Sequence, residues 1–220
     1  MVPILSNLLD RWAARRVLQA MIRATNDMET VRWLGRPVWQ YPLDAWVMQE
    51  VIGEQRPDLI VETGTWRGGA AFFFACLCDL LGHGQVISID CAPLGTIPHP
   101  RITYVLGSSV DPDIVSTVAG RARSIGAQKI FIMLDSDHTP GHVLQELSSY
   151  APLVPVGSYI HVQDGCLDEL PIYRRYAPGP LAAVKAFLRN NSSFIRDLEP
   201  ERRYVMTAHP YGWLKRVKEG

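Results

Sequence analysis

The chain has 220 residues, 47% of them hydrophobic, with 22 Lys+Arg against 22 Asp+Glu and therefore a formal net charge of zero. That length and apolar fraction build one well-buried domain and leave little for a second. The charge balance excludes a protein whose main work is gripping nucleic acid or an anionic membrane surface, and the longest apolar run, Ala70 to Cys78, is far short of the roughly 18–20 residues that cross a bilayer.

The opening "MVPILSNLLDRWAARR" places its charges after its apolar residues, the reverse of a secretory signal. A cytoplasmic protein is expected, with Cys76, Cys78, Cys91 and Cys166 as reduced packing thiols. An amphipathic helix with a basic face runs from about Leu5 to Arg23; its "RWAARR" suits a calmodulin-like or membrane-surface role, while the plainer reading is a face that packs on the domain or on a sister subunit. After the Pro-punctuated connector "GRPVWQYPLD" comes a helix, "AWVMQEVIGEQ".

From there strands and helices alternate. "LIVET" (59–63) precedes a helix over about 68–81, and "QVISID" (85–90) and "ITYVLG" (102–107) precede one over about 111–125. "KIFIMLD" (129–135) leads to a helix near 141–150, then "SYIHVQD" (158–164), the helical "GPLAAVKAFLRNN" and a tail that reads as closing strands. Continuous apolar runs separated by helices specify an α/β fold with a mostly parallel sheet covered on both faces. Ligands of such sheets bind beyond the carboxyl ends of the strands.

The chemistry-bearing residues fall at those ends. In "VETGTWRGGAA" a strand closes and a helix begins around Glu62, Gly64, Thr65, Trp66, Gly68 and Gly69. Glycines let the backbone turn tightly and approach a ligand, and the helix start offers free N–H groups. The spacing is neither a Walker loop nor G-x-G-x-x-G. Glu62 would repel a pyrophosphate but suits a ligand with a positive end, such as the amino and sulfonium groups of S-adenosylmethionine; a plain structural turn explains the glycines equally well. Asp90 ends the next strand, where a carboxylate accepts from both ribose hydroxyls of an adenosine cofactor, or simply caps a turn. Ser108 and Ser109 follow the third strand and face an adenine edge or start a helix.

Asp135 and Asp164 close two strands read as neighbours, so both carboxylates emerge at one edge. Two like charges brought together raise one another's pKa unless a cation joins them, and Mg²⁺ accepts one or two carboxylates with other oxygens. His138, just past Asp135, is placed to take a proton from a metal-held hydroxyl. The alternative reading makes Asp135 or Asp137 a helix cap and His138 a surface imidazole. "CLDELPIYRRYAPG" (166–179) borders an acceptor pocket, with Arg174, Arg175 and Tyr176 facing a diphosphate or carboxylate, or is a surface loop.

Taken together and in order, "WLGRPVWQYPLDAWVMQEVIGEQRPDLIVE", "LIVETGTWRGGAA", "IMLDSDHT", "YAPLVPVGSYIHVQD" and the tail "AVKAFL…F…T.HPYGWLKRV" resemble the cephalosporin hydroxylase / rhamnosyl O-methyltransferase family over about Val31 to Val217. The resemblance implies a Rossmann-like class I methyltransferase fold, with a mostly parallel seven-stranded sheet flanked by helices. Residues 1–56 would form an N-terminal helical extension packing on a core of residues 57–220 that binds S-adenosylmethionine. A divalent cation, usually Mg²⁺, would assist methyl transfer to a hydroxyl, of a sugar, on a small natural product or glycoside. By position, Glu62, Gly64 and Gly68 would line the cofactor with Thr65, Trp66, Gly69, Ser108 and Ser109, and Asp90 would hold its ribose. Asp135 would serve cofactor, metal and catalysis, Asp164 the metal, and His138 would be the general base. The family often carries Glu-Asp where this chain has Gln163-Asp164, so Gln163 would ligate through a neutral amide and lower metal affinity. Self-association into a homo-oligomer is also implied, and neither nucleic acid nor membrane is a partner.

Two other classes stand beside this reading. A non-haem oxygenase commonly needs two His and a carboxylate, often as H-x-D/E, and none of the six His (83, 99, 138, 142, 161, 209) has an acid two residues on. A non-catalytic adenosine-binding protein would bind cofactor without metal dependence or methylated product.

Overall fold

The computed structural model describes residues 8–92 and 95–219. Helix α1 (Leu8–Ala24) and a two-residue hairpin, β1 (Arg32–Trp33) and β2 (Arg36–Pro37), precede α2 (Pro42–Gln55). The alternating core follows as β3 (Leu59–Thr63), α3 (Gly69–Leu81), β4 (Gln85–Asp90), β5 (Ile102–Leu106), α4 (Pro112–Ser124), β6 (Ile130–Leu134), α5 (Pro140–Tyr150), β7 (Tyr159–Val162) and α6 (Pro180–Asn190). The chain closes with β8 (Phe194–Arg196), the short α7 (Leu198–Arg202) and β9 (Trp213–Arg216). Proline at the first turn of α2, α4, α5 and α6 presets φ where no N–H partner is needed, and Asp111 caps α4 by accepting from Asp113 N at 2.9 Å.

Seven strands form one sheet in the order β5-β4-β3-β6-β7-β9-β8. β3 to β7 pair parallel; β9 runs antiparallel between β7 and β8. All residues of β3, β6 and β7 are buried, so alternate side chains enter two apolar layers. Leu59, Val61, Ile130, Ile132, Leu134, Ile160 and Val162 join Val143, Leu147 and Val184 from α5 and α6 on one face. Ile60, Phe131 and Met133 meet Val47, Met48, Ile52, Phe73 and Phe74 from α2 and α3 on the other. A third cluster joins Leu18 and Ile22 of α1 to Met28, Tyr41, Cys166, Leu167, Tyr173 and Ala208, so the first helix packs beside the carboxyl end of β7. Among the described residues no helix is long and apolar enough to cross a membrane.

The strand order reverses between β3 and β6, whose successors cross to opposite sides. At such a switch point the two following loops diverge and leave a crevice. Gly64 makes that crevice possible: at φ +89° a Cβ would fall on the Asp135 carbonyl oxygen.

Candidate active site

A cavity of about 730 Å³ opens at this crevice, within the range of small-molecule and cofactor sites. Its lining includes Glu62, Gly64, Thr65, Trp66, Gly69, Asp90, Ser108, Ser109, Asp135, His138 and Asp164. Six acids line it, Asp27 and Asp137 among them, and among the described residues no lysine or arginine does.

Asp135 and Asp164 follow β6 and β7, which pair in parallel, so their carboxylates leave the sheet on the same rim. One ligand atom each of Asp135, His138 and Asp164 lie within 4.8 Å of one another. His138 Nε2 sits between the acids, 3.4 Å from Asp135 Oδ1 and 3.3 Å from Asp164 Oδ2, at ion-pair rather than good hydrogen-bond distance. Burial lowers the His138 pKa, but its contacts with both carboxylates and their charges overcome this and push it up to about 11. Burial, with the neighbouring Asp164 charge, raises Asp135 to about 6 against the pull of His138; Asp164 is lowered despite its burial by the same imidazolium. Both acids thus favour the protonated form of His138 between them. Hard oxygen donors so placed, with their charges set against one another, fit a divalent cation.

Asp137, not Asp135, closes the turn into α5, accepting from Thr139 N at 2.7 Å. Gln163 stands apart from the acids: its amide nitrogen lies 3.7 Å from Met48 Sδ on α2, and it does not line the cavity. Residue 163 continues the strand alternation of β7 by one, which turns its side chain into the sheet layer occupied by α2.

On the other side of Asp135, Glu62 is 1% exposed. Its Oε2 accepts from Ser88 Oγ, which also meets Thr65 Oγ1 at 2.7 Å, while Oε1 is buried without a partner. Burial raises its pKa to about 8 against the Ser88 hydrogen bond, helped by the charges of Asp135 and Asp90. An orphaned carboxylate oxygen in a cavity fits the ammonium of an amino-acid cofactor. Asp90 accepts one backbone N–H on each oxygen, Trp66 N at 3.0 Å and Ala92 N at 2.9 Å. It therefore ties the two loops together, and each oxygen keeps further acceptor capacity toward the cavity it lines. The turn-capping reading of Asp90 is seen in these two bonds, and its place in the lining is compatible with the ribose reading. Gly68 (φ +74°) does not line the cavity; its Cβ would meet Tyr104 Oη at 3.0 Å and Ile97 N at 3.3 Å, so it permits the turn rather than touching a ligand. Gly69 does line it, and lets the start of α3 touch Pro37 of the hairpin.

Sequence reasoning missed three groups. Gln40 is 2% exposed, lines the cavity, donates from Nε2 to Asp135 Oδ2 at 3.2 Å, and leaves Oε1 buried without a donor. His142 meets Ser109 Oγ and Ser136 Oγ, each at 3.1 Å, beside the fully buried Glu146. His209, completely buried, accepts from Asp164 N at 2.7 Å. Only the i, i+4 spacing of His142 and Glu146 was visible locally. In the 166–179 loop, Tyr173 and Tyr176 line the cavity, whereas Arg175 lies over the Tyr176 ring at 4.7 Å and donates to its hydroxyl; neither Arg174 nor Arg175 reaches in.

Strand order, switch-point cavity and rim acids define the class I methyltransferase fold. Solved structures agree: "CmcI-N160 apo-structure" superposes with a TM-score of 0.66 at 23% identity, covering 100% of this chain and 88% of that one. The Mg-SAM form "cmcI-D160" gives 0.62 at 23%, covering 87% and 78%. The chain belongs to the rhamnosyl O-methyltransferase/CmcI family, whose profile matches residues 25–217. It is 32% identical over 190 residues to a rhamnosyl O-methyltransferase of Mycobacterium tuberculosis (strain ATCC 25618 / H37Rv), covering 84% of this chain and 77% of that protein. It is 31% identical over 192 residues to one of Mycobacterium leprae (strain TN), covering 85% and 83%.

Proposed function

We propose that this chain is an S-adenosylmethionine-dependent, divalent-cation-assisted O-methyltransferase acting on a sugar hydroxyl of a small glycoside. The observation that carries the reading is one cavity holding both the Asp135–His138–Asp164 cluster and the orphaned Glu62 oxygen. The curated relatives are named for rhamnosyl groups, which supports rhamnose as the acceptor sugar. A lining with six acids and, among the described residues, no lysine or arginine supports an uncharged acceptor over a nucleotide sugar.

Bound there, the cofactor would supply an electrophilic methyl and a divalent cation would lower the pKa of the acceptor hydroxyl. Glu62 would orient the cofactor by its ammonium, and Asp90 by its ribose hydroxyls. Asp135 and Asp164 would hold the cation, and Gln40 donates to the Asp135 carboxylate. His138, placed between the two acids, would accept the proton of the acceptor hydroxyl. Trp66 and Trp39, whose ring centroids lie 4.9 Å apart, form an aromatic wall of the cavity. Fixing donor and acceptor along one line supplies much of the acceleration.

The test is a thermal shift with S-adenosylhomocysteine and with NAD, each with and without Mg²⁺, followed by transfer from labelled S-adenosylmethionine to simple rhamnosides. Stabilisation by the first ligand alone and Mg²⁺-dependent labelling are expected. Binding of cofactor without labelling under any metal condition would favour the non-catalytic reading.

A further inference from the structure

His209 lies outside every strand end, yet it is fully buried and its Nδ1 accepts the backbone N–H of Asp164. Asp164 needs such a hold. Its φ of +58° is left-handed, a conformation that non-glycine residues leave readily unless neighbours enforce it. Because the side-chain direction follows from that backbone, whatever enforces it also aims the carboxylate at Asp135.

The tail is built to keep His209 in place. Its backbone N donates to Thr207 Oγ1 at 2.9 Å, Thr207 Oγ1 donates to Asp44 Oδ1 at 2.5 Å, and Ala208 N donates to Asp44 Oδ2 at 2.9 Å. Asp44, from the first turn of α2, is itself 4% exposed. Tyr41 and His161 pack edge-on against the ring, with centroids 5.5 and 5.1 Å away. On the facing loop, Cys166 N donates to Ala208 O at 2.8 Å, so residues 164–166 are bonded to 208–209 at both ends. An Nδ1 that accepts carries no proton; the ring is the Nε2–H tautomer, with Nε2 3.8 Å from Asp44 Oδ2.

We propose that His209 is a positioning residue for cation binding, holding Asp164 in the left-handed conformation that directs its carboxylate into the cluster. The proposal rests on reading Asp135 and Asp164 as cation ligands. Groups of this kind behind a ligand commonly change metal affinity 10–100-fold.

The experiment titrates Mn²⁺ alone into the full chain by electron paramagnetic resonance, with S-adenosylhomocysteine affinity measured in parallel. The variants are His209→Asn, whose side-chain oxygen replaces Nδ1 as acceptor, His209→Gln, whose oxygen lies one bond too far, and His209→Leu, which has none. Expected are roughly tenfold or greater losses of Mn²⁺ affinity for Gln and Leu, recovery to within about threefold for Asn, and S-adenosylhomocysteine affinity within about twofold throughout. Should Leu fail to fold, the Gln and Asn pair decides. Wild-type Mn²⁺ affinity in Gln, equal losses in Gln and Asn, or joint loss of both ligands would overturn the proposal. Absence of Mn²⁺ binding by the wild-type chain, or its persistence in Asp135→Asn, would instead overturn the cation site on which the proposal depends.

Discussion

Glu62 offers the sharpest quantitative test, because burial and charge act on it in a way that both stability and cofactor binding report. In the folded chain it keeps its proton up to about 8, against an ordinary 4.5, chiefly through burial. The unfolded chain releases that proton near 4.5. Over the intervening range folding takes up a proton, so stability falls as pH rises, by about 1.4 kcal/mol per pH unit. The full displacement corresponds to roughly 5 kcal/mol, lost by the time pH passes 8. Glu62→Gln removes this dependence while keeping an acceptor for Ser88. Urea denaturation at pH 5.5 and 7.5 isolates the effect as a difference: the stability of the variant relative to wild type should increase by about 3 kcal/mol between the two. Cofactor binding moves the other way. An ammonium at Oε1 requires ionised Glu62, so S-adenosylhomocysteine affinity of the wild type should rise with pH up to about 8 and release a proton, whereas the variant should bind more weakly and without this rise. Parallel stability curves for the two proteins from pH 5.5 to 7.5 would refute the buried-acid argument.

His138→Ala should reduce kcat by 10²–10⁴-fold while leaving S-adenosylhomocysteine affinity near wild type, measured by labelled-methyl transfer and calorimetry; surviving turnover would remove His138 as the base. Arg196 forms an ion pair with the buried Glu201 and lies 3.4 Å from the Tyr211 ring centroid, so Arg196→Met leaves a buried acid unpaired. Its cost should be about 3–5 kcal/mol in urea denaturation, with a Tm lower by several degrees. Gly64→Ala forces a Cβ onto the Asp135 carbonyl oxygen at positive φ, and should lower stability by more than about 2 kcal/mol and weaken Mn²⁺ binding together, because the β3 and β6 ends must separate.

The parts of this molecule legible in its sequence share one property: their signal is local. β3, β6 and β7 lie within two residues of their expected limits because a strand buried on both faces must be a continuous apolar run. Glu62, Asp90, Asp135 and Asp164 stood out for the same reason, as charges that end such runs. The hairpin of Arg32–Trp33 and Arg36–Pro37 left no comparable trace, since two-residue strands carry no periodicity. Gly68 and Gly69 differ in which side faces the cavity, and adjacency along the chain says nothing about that.

The remaining site residues were illegible because their meaning lies in distant partners. Gln40 reaches Asp135 across 95 residues, and His209 reaches Asp164 across 45. Neither follows an apolar run: Gln40 sits in a Pro-containing segment that reads as a connector, and His209 in a tail that reads as closing strands. Yet these segments, one before the parallel core and one after it, each contact one of the two rim acids. The parallel strands bring the carboxylates to a shared edge; their final direction is set from outside the strands, by Gln40 at the Asp135 carboxylate and by His209 at the Asp164 backbone. The family match over residues 25–217 includes both flanking segments. A core of β3 to β7 with the same acids but without these flanks would keep its fold-determining apolar runs and lose the alignment on which cation binding depends.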